Sequence, residues 1–385
     1  MFPALTRGCV VSLLLLVLTV TQACTSRQQE ARWLLEDVQA GTAPSTLKVD
    51  RPRPEVLRQA LSLPVGRIET VTVRPGDVAP EVAPSAAVLI LAPGLAPEGL
   101  EDPRLLALAA SLARVGFEVV IPGLPGAADL VADPADTEVL AALLEHFDDE
   151  GRGPVVLAGI SYALGPAVLA ATRPEEEGRT AAVFGVGGYY DIETAITFLT
   201  TGQYLDPETG RWRKGPVERA AVWRYALANA SSLNDPSDRE RMVRIARHRL
   251  SGEVAKADRL AVQLGEEARA VYALLANRQP LRVPSLIAAL PAGMRADLRA
   301  LSPAHQDRPQ RPVRMILIHG RDDPLIPAPE SRRLAEALGT PESRVVLVDA
   351  LGHVDFDRGP GILDQLRLWR AGTDLLAVRD LLIGG

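Results

Sequence analysis

The stretch VVLAGISYALGPAV, residues 155–168, decides how the rest of the chain is interpreted. Its first half is a continuous apolar run, as in a strand that is buried on both faces, and its second half is typical of a buried helix. Ser161 stands between them, in a G-x-S-x-G pattern with Ala163 at the second glycine. Such a match, with Gly or Ala accepted, arises by chance with odds of about one in four. Alone, it leaves Ser161 as a nucleophile or as a helix N-cap.

Strand and helix patterns alternate on both sides of this stretch. The helix pattern over residues 102–116 has Asp102 as its N-cap, Pro103 at its first position and Gly116 as its stop. Predicted strands are RIETVTV, AAVLILAPG and FEVVIPG before the stretch, and AAVFGVGGYY, PVRMILIHG and SRVVLVDA after it. This alternation predicts a mostly parallel sheet, and in such sheets sites form beyond the C-terminal ends of the strands. Ser161 lies at one such end.

The alternation of strand and helix patterns stops between residues 192 and 309, a range that carries helical segments and no convincing strand. We therefore expect a core of residues 65–191 and 310–385 with a helical cap, residues 192–309, inserted above the site. Residues 24–64 are polar and punctuated by prolines, and we interpret them as a tether and N-terminal segment.

Composition excludes several classes of function. The 385 residues carry a net charge of −6 and no long basic tail, which argues against nucleic-acid binding. The two cysteines, Cys9 and Cys24, lie in the first 24 residues, and the five histidines form no zinc-binding pattern. We expect neither a metal nor another cofactor.

The N-terminus, MFPALTRGCVVSLLLLVLTVTQAC, has one basic residue and then an apolar run that is too short to span a bilayer. Residues 1–23 are predicted to be a signal peptide. The segment before Cys24 resembles the lipobox of bacterial lipoproteins, which implies lipid attachment at Cys24 and a location in the bacterial cell envelope, facing the periplasm or the exterior. The alternative is an ordinary signal peptide cleaved at the same bond, after Ala23.

Two further motifs stand at the ends of predicted strands. They are HGRDDPLIP, residues 319–327, and DALGHVDF, residues 349–356. With GISYA, they resemble the α/β-hydrolase family, whose patterns are HG-x-x-D-x-x-[IV]-P and GH-x-x-F and whose chain order is Ser, Asp, His. The resemblance covers roughly residues 66–191 and 310–385. It implies an α/β-hydrolase fold, a mostly parallel sheet flanked by helices with an inserted helical cap, and a catalytic triad of Ser161, Asp323 and His353.

Each residue type has a chemical reason in such a triad. A serine hydroxyl needs a base to take its proton, a histidine can do this, and a carboxylate fixes the tautomer of that histidine. The backbone N–H groups of Tyr162 and Leu95 are the expected oxyanion donors, although Pro93-Gly94 stands where the family often has His-Gly. Each triad residue also has a structural alternative, and motif register alone separates Asp323 from Asp322. Asp355 and Asp357 follow the histidine too closely to orient its ring. His319 is interpreted as structural.

The sequence thus predicts a serine hydrolase that cleaves a small-molecule carboxylic ester through an acyl-enzyme and is held to a membrane by a lipid anchor. An acyltransferase with the same triad is one alternative, and a non-catalytic lipoprotein that binds a partner through its cap is another. Fold alone does not give the substrate.

Overall fold

The computed structural model of the chain describes residues 26–76, 86–306, 312–356 and 358–384. The predicted signal peptide and Cys24 lie outside the described residues. No helix in these ranges has the length and apolar character to cross a membrane.

The described residues contain an eight-stranded sheet in the order β1-β2-β4-β3-β5-β6-β9-β10. The six strands from β4 to β10 in this order run parallel, and β1 and β2 join one edge in antiparallel pairing. The predicted mostly parallel sheet is therefore confirmed. The strands of this sheet are β1 (Glu55–Leu63), β2 (Gly66–Arg74), β3 (Ala87–Ala92), β4 (Phe117–Pro122), β5 (Val155–Ile160), β6 (Thr180–Val186), β9 (Met315–Gly320) and β10 (Arg344–Val348).

Helices cover both faces of the sheet, and others follow β6. They are α1 (Ser26–Ala40), α2 (Thr46–Asp50), α3 (Pro103–Arg114), α4 (Pro125–Asp129), α5 (Ala135–Asp149), α6 (Leu164–Ala171), α7 (Ile192–Thr201), α8 (Arg219–Ala228), α9 (Pro236–Leu250), α10 (Val254–Ala261), α11 (Glu266–Ala276), α12 (Val283–Ala288), α13 (Ala292–Ala300), α14 (Pro329–Leu338) and α15 (Ile362–Gly384).

Alternate residues of the central strands face two hydrophobic layers. In β3, Val88 and Ile90 belong to the hydrophobic layer that includes residues of α5, α6 and α14, whereas Leu89 and Leu91 belong to the layer that includes residues of α1, α3 and α15. All six residues of β3 are buried. A strand with apolar residues on both faces has to lie inside a three-layer fold, which explains the continuous apolar runs in the sequence.

Helix α3 begins where its sequence predicts. The Asp102 carboxylate accepts the backbone N–H of Arg104 at 2.8 Å, and Pro103 occupies the first turn. Gly116 follows the helix with a φ of +91°, a conformation that glycine adopts without a steric penalty. These local signals fix where α3 starts and stops.

The interpretation of residues 24–64 as a tether is wrong for the part that the structure describes. Residues 26–40 form α1, which packs against α15, and the indole N–H of Trp369 donates to the Gln28 carbonyl at 2.8 Å. Residues 55–63 form the edge strand β1. Only Leu63 in β1 is fully buried, so this strand has no continuous apolar face to reveal it in the sequence.

The helical insertion, residues 192–306, lies between β6 and β9 and has a hydrophobic cluster of its own around Trp223, Met242 and Ile245. Its helices agree with the sequence patterns. The expectation that it contains no strand is wrong, because β7 (Gln203–Leu205) and β8 (Trp212–Lys214) form a short antiparallel hairpin. Three-residue strands that are largely exposed leave too short an alternation to be recognised.

Candidate active site

Ser161 sits on a sharp turn between β5 and α6. Its φ is +54°, in the left-handed region that non-glycine residues rarely adopt. A residue held there stores about 1–3 kcal/mol of strain. An N-cap serine has extended backbone and bonds to a helix N–H, whereas neither the short 3₁₀ turn at Ser161–Ala163 nor α6 has a side-chain cap. The N-cap interpretation of Ser161 therefore does not fit.

The hydroxyl of Ser161 instead meets a histidine that lies 192 residues further along the chain. Its Oγ is 2.5 Å from Nε2 of His353, in the loop after β10. The other ring nitrogen of His353, Nδ1, is 2.7 Å from Oδ2 of Asp323, in the loop after β9. The structure thus brings the three predicted residues into one hydrogen-bonded chain, in which Ser161 donates to His353 and His353 donates to Asp323.

Asp323 is held on all sides by donors. It is only 2% exposed, and its Oδ1 accepts the backbone N–H groups of Leu325 at 2.8 Å and Ile326 at 3.0 Å. Burial alone would raise the pKa of this carboxyl, but the charge of His353 and hydrogen bonds from His319 and His353 hold the pKa of Asp323 below its ordinary value. The side chain therefore stays a carboxylate at neutral pH.

The alternative acids lie elsewhere. Asp322 is exposed, although it precedes Asp323 directly in the chain. Asp355 forms an ion pair with Arg104, with 2.7 Å between Oδ2 and Nη1. Asp357 lies outside the described residues.

The acid loop and the histidine loop meet because their strands are neighbours. Strands β9 and β10 are parallel, with Gly320 paired to Val348, so both loops leave the sheet at the same edge. The two loops also touch directly. A Cβ atom at Gly320 would lie 2.0 Å from the carbonyl oxygen of Gly352, so glycine alone permits this approach.

The loop after β3 closes the other side of Ser161. A Cβ atom at Gly94 would lie 3.0 Å from the carbonyl oxygen of Ile160 and 3.3 Å from Cβ of Ser161. Leu95, one of the two expected oxyanion donors, follows Gly94 directly. Its N–H donates to no acceptor within the described ranges.

Tyr162, which carries the other expected donor, is anchored by its side chain. Its phenol accepts the N–H of Asp133 at 2.8 Å and donates to the carbonyl of the same residue at 3.1 Å. The residue directly after Ser161 is thereby tied to the loop between α4 and α5. Burial raises the pKa of the Tyr162 phenol, so this hydroxyl stays neutral.

His319 belongs to this site as well, and its role was missed in the sequence. It is fully buried at the end of β9, and its Nε2 lies 3.3 Å from Oδ2 of Asp323. The motif HG-x-x-D contains His319, but the sequence does not show that this histidine contacts Asp323. No cluster of His, Cys, Asp or Glu suited to a metal ion occurs in the part of the chain that the structure describes.

Comparison with known proteins identifies the family. The sequence pattern of the Alpha/beta hydrolase family matches residues 89–363, which is more than half of the chain. The chain belongs to the alpha/beta hydrolase family. Membership of this family supports a hydrolase and confirms the predicted fold class. No protein with a curated description matches the chain.

Solved structures of this alpha/beta hydrolase fold resemble the chain at low identity. A Legionella pneumophila protein with a provisional assignment as a hydrolase has a TM-score of 0.51 at 13% identity, over 92% of this chain and 95% of that one. An alpha/beta hydrolase fold protein from Nakamurella multipartita has a TM-score of 0.41 at 18% identity, over 86% and 100%. An acylaminoacyl peptidase from Pyrococcus horikoshii has a TM-score of 0.47 at 13% identity, over 86% of this chain but 42% of the peptidase.

Proposed function

We propose that this alpha/beta hydrolase is a serine esterase that cleaves a small-molecule carboxylic ester through an acyl-enzyme intermediate. The observation that carries the proposal is the hydrogen-bonded chain from Ser161 through His353 to Asp323, with separations of 2.5 Å and 2.7 Å. The left-handed backbone of Ser161 adds support, because strain of this kind is kept where function requires it.

In the proposed reaction, Oγ of Ser161 attacks the ester carbonyl carbon while Nε2 of His353 takes the hydroxyl proton. The C–O bond to the leaving alcohol then breaks, and His353 returns its proton to the alkoxide. Water attacks the acyl-enzyme by the same route, which releases the acid and restores Ser161. Asp323 keeps Nδ1 of His353 protonated and stabilises the imidazolium in both halves of the reaction.

The oxyanion that forms in each half requires fixed N–H donors. We assign this role to the backbone of Tyr162 and Leu95. The assignment is supported by the position of Tyr162 next to the nucleophile and by the contact of the Gly94 backbone with Ser161, which brings Leu95 to the same side. The donors belong to the backbone, so the chain does not need the family's His-Gly at this loop.

We propose further that the helical insertion acts as a cap that shapes the substrate pocket. Two hydrogen bonds join the residues at the two ends of its helix α8 to loops of the core. The N–H of Glu218 donates to the Pro324 carbonyl at 3.0 Å, directly beside Asp323, and the side-chain amide of Asn229 donates to the Leu130 carbonyl at 2.9 Å, in the loop between α4 and α5. These bonds join α8 to two loops at the carboxyl edge, where Ser161 lies.

The variant Ser161→Ala tests the esterase. We expect it to reduce turnover of p-nitrophenyl esters to background while thermal unfolding stays within a few degrees of the wild type. A fluorophosphonate probe should label the wild type and not the variant. Unchanged turnover in Ser161→Ala would contradict the proposal, and failure of the wild type to react with the probe would favour a non-catalytic protein. A panel of esters with different acyl lengths, with and without an added alcohol acceptor, separates hydrolysis from acyl transfer.

The proposed location is the bacterial cell envelope, with a lipid anchor at Cys24. This proposal is supported by the sequence before Cys24. Replacement of Cys24 by Ser should move the protein from the membrane fraction to the soluble fraction of the envelope, with esterase activity unchanged. The fractions are compared by immunoblot, and an unchanged distribution would exclude lipid anchoring at this residue.

A further inference from the structure

His319 is a buried ionisable residue that the proposed mechanism does not use. The side chain is fully buried, and its polar atoms have three partners. Nδ1 is 2.7 Å from Oγ of Ser331 on α14, and Nε2 is 3.0 Å from the carbonyl oxygen of Ile326 and 3.3 Å from Oδ2 of Asp323. A histidine that only filled space in the core would not need the carboxylate of the acid as a neighbour.

These partners determine the tautomer of His319. Both atoms near Nε2, a carbonyl oxygen and a carboxylate oxygen, are acceptors, so Nε2 has to carry the proton. Nδ1 is then an acceptor, and the hydroxyl of Ser331 donates to it. Ser331 is itself fully buried, which keeps this hydroxyl away from water.

The same oxygen of Asp323 therefore faces two imidazoles. Oδ2 accepts from Nδ1 of His353 at 2.7 Å and lies 3.3 Å from Nε2 of His319, while Oδ1 is occupied by the two backbone N–H groups of its own loop. The negative charge of Asp323 also acts on Tyr225 of α8. Within the described residues, His353 and His319 are the ionisable side chains in contact with Asp323, and Tyr225 is a further group whose pKa its charge raises.

We propose that His319 is a positioning residue for the catalytic acid, held in the Nε2–H tautomer by Ser331. This inference rests on the proposed function. The N–H of His319 binds the Ile326 carbonyl of the acid loop and holds that loop in place, while its positive end lies 3.3 Å from Oδ2 and offsets part of the negative charge there, so that the proton of Nδ1 stays on His353 when the imidazolium forms. His319 itself exchanges no proton and contacts no substrate.

The proposal predicts a specific kinetic effect. Without the N–H on Oδ2, the carboxylate is less firmly directed and more basic towards His353. We expect kcat to fall by about 10- to 100-fold, as for loss of other groups that orient a metal ligand or a catalytic side chain. KM should change less than about twofold. The more basic carboxylate favours protonated His353, so the acidic limb of kcat/KM should move to higher pH by about half a unit or more.

Three variants test this, measured with p-nitrophenyl esters over the pH range. His319→Leu removes both polar atoms, His319→Gln returns an N–H near the position of Nε2, and Ser331→Ala leaves the imidazole but frees its tautomer. We expect the full effect in His319→Leu, recovery of at least half of the lost activity on a logarithmic scale in His319→Gln, and a smaller shift in the same direction in Ser331→Ala. His146→Leu, at a partly buried position near the end of α5, is the matched control. If His319→Leu does not fold, the other two variants carry the test.

The outcomes are distinguishable from those for the esterase itself. If Ser161→Ala keeps wild-type turnover, the proposed function fails whatever the His319 variants do. If turnover depends on Ser161 but His319→Leu has the kcat and pH profile of the wild type, the inference about His319 is wrong and the esterase stands. Equal losses in His319→Leu and His319→Gln with no movement of the acidic limb would also overturn it, because they would reflect packing alone.

Discussion

The substitution Asp136→Asn tests whether one buried carboxyl makes the stability of the protein depend on pH. Asp136 lies near the start of α5 and is fully buried. Its Oδ1 accepts the N–H of Gly126 at 2.8 Å, but Oδ2 has no hydrogen-bond partner within the described residues. Burial raises the pKa of Asp136 from 3.8 to about 6, because the polar groups of Gly126, Tyr162 and Ala127 offset only part of the desolvation and the charge of Asp133 adds to it.

The raised pKa makes the stability of the protein depend on pH. Because the folded pKa lies above the unfolded value, the native state binds this proton more tightly, and stability falls as pH rises from about 4 through about 6. A shift of about two units corresponds to about 3 kcal/mol. Asparagine has the same shape and does not titrate. The free energy of unfolding of Asp136→Asn minus that of the wild type should therefore grow by about 3 kcal/mol between pH 4 and pH 7.

Urea denaturation of both proteins at half-unit steps of pH measures this difference. The exposed Asp149, at the end of the same helix, provides the control Asp149→Asn, for which the difference from the wild type should stay nearly constant. A difference for Asp136→Asn that does not change with pH would show that Asp136 is ionised without penalty in the folded protein. The reasoning from its unpaired oxygen would then be wrong.

Two further substitutions test the geometry around Ser161. Asp323→Asn should lower kcat by about 10³- to 10⁴-fold with little change in KM, because an amide cannot hold His353 in the required tautomer; a loss below tenfold in stopped assays at neutral pH would contradict the role of the acid. Gly94→Ala should lower kcat by about tenfold, because the new Cβ would press on the Ile160 carbonyl and on Ser161. Gly293→Ala, where a Cβ has open space, is its control and should behave as the wild type.

The sequence was sufficient to predict the parallel part of the sheet and its carboxyl edge. Continuous apolar strands, capped helices and short connections are local signals, and the parallel arrangement follows from their alternation. The meeting of Ser161, Asp323 and His353 follows from the same logic, since residues at the C-terminal ends of parallel strands in one sheet lie at one edge. The choice between Asp322 and Asp323 needed the structure, because one of the two adjacent residues is exposed and the other buried.

The parts that the sequence did not predict depend on contacts between distant segments. Strand β1 is stabilised by pairing with β2 rather than by an apolar face of its own, so its residues look like those of a linker. The same holds for the short hairpin in the helical insertion. The contact of His319 with Asp323 depends on the conformation of the loop after β9. The pattern of apolar residues in the sequence does not predict this conformation.

His319 and Asp136 show how two buried ionisable residues near one site can have different consequences. Nε2 and Nδ1 of His319 have a complete set of partners, so the side chain is fixed in place, and its loss should change kcat and the pH profile of catalysis. Asp136 has one oxygen with a hydrogen bond and one without, so its loss should change the pH dependence of stability. Measuring kcat of Asp136→Asn at a pH where both proteins are folded separates the two effects, because kcat should then be nearly unchanged. A large loss of kcat in folded Asp136→Asn would indicate that this carboxyl also acts on the catalytic residues.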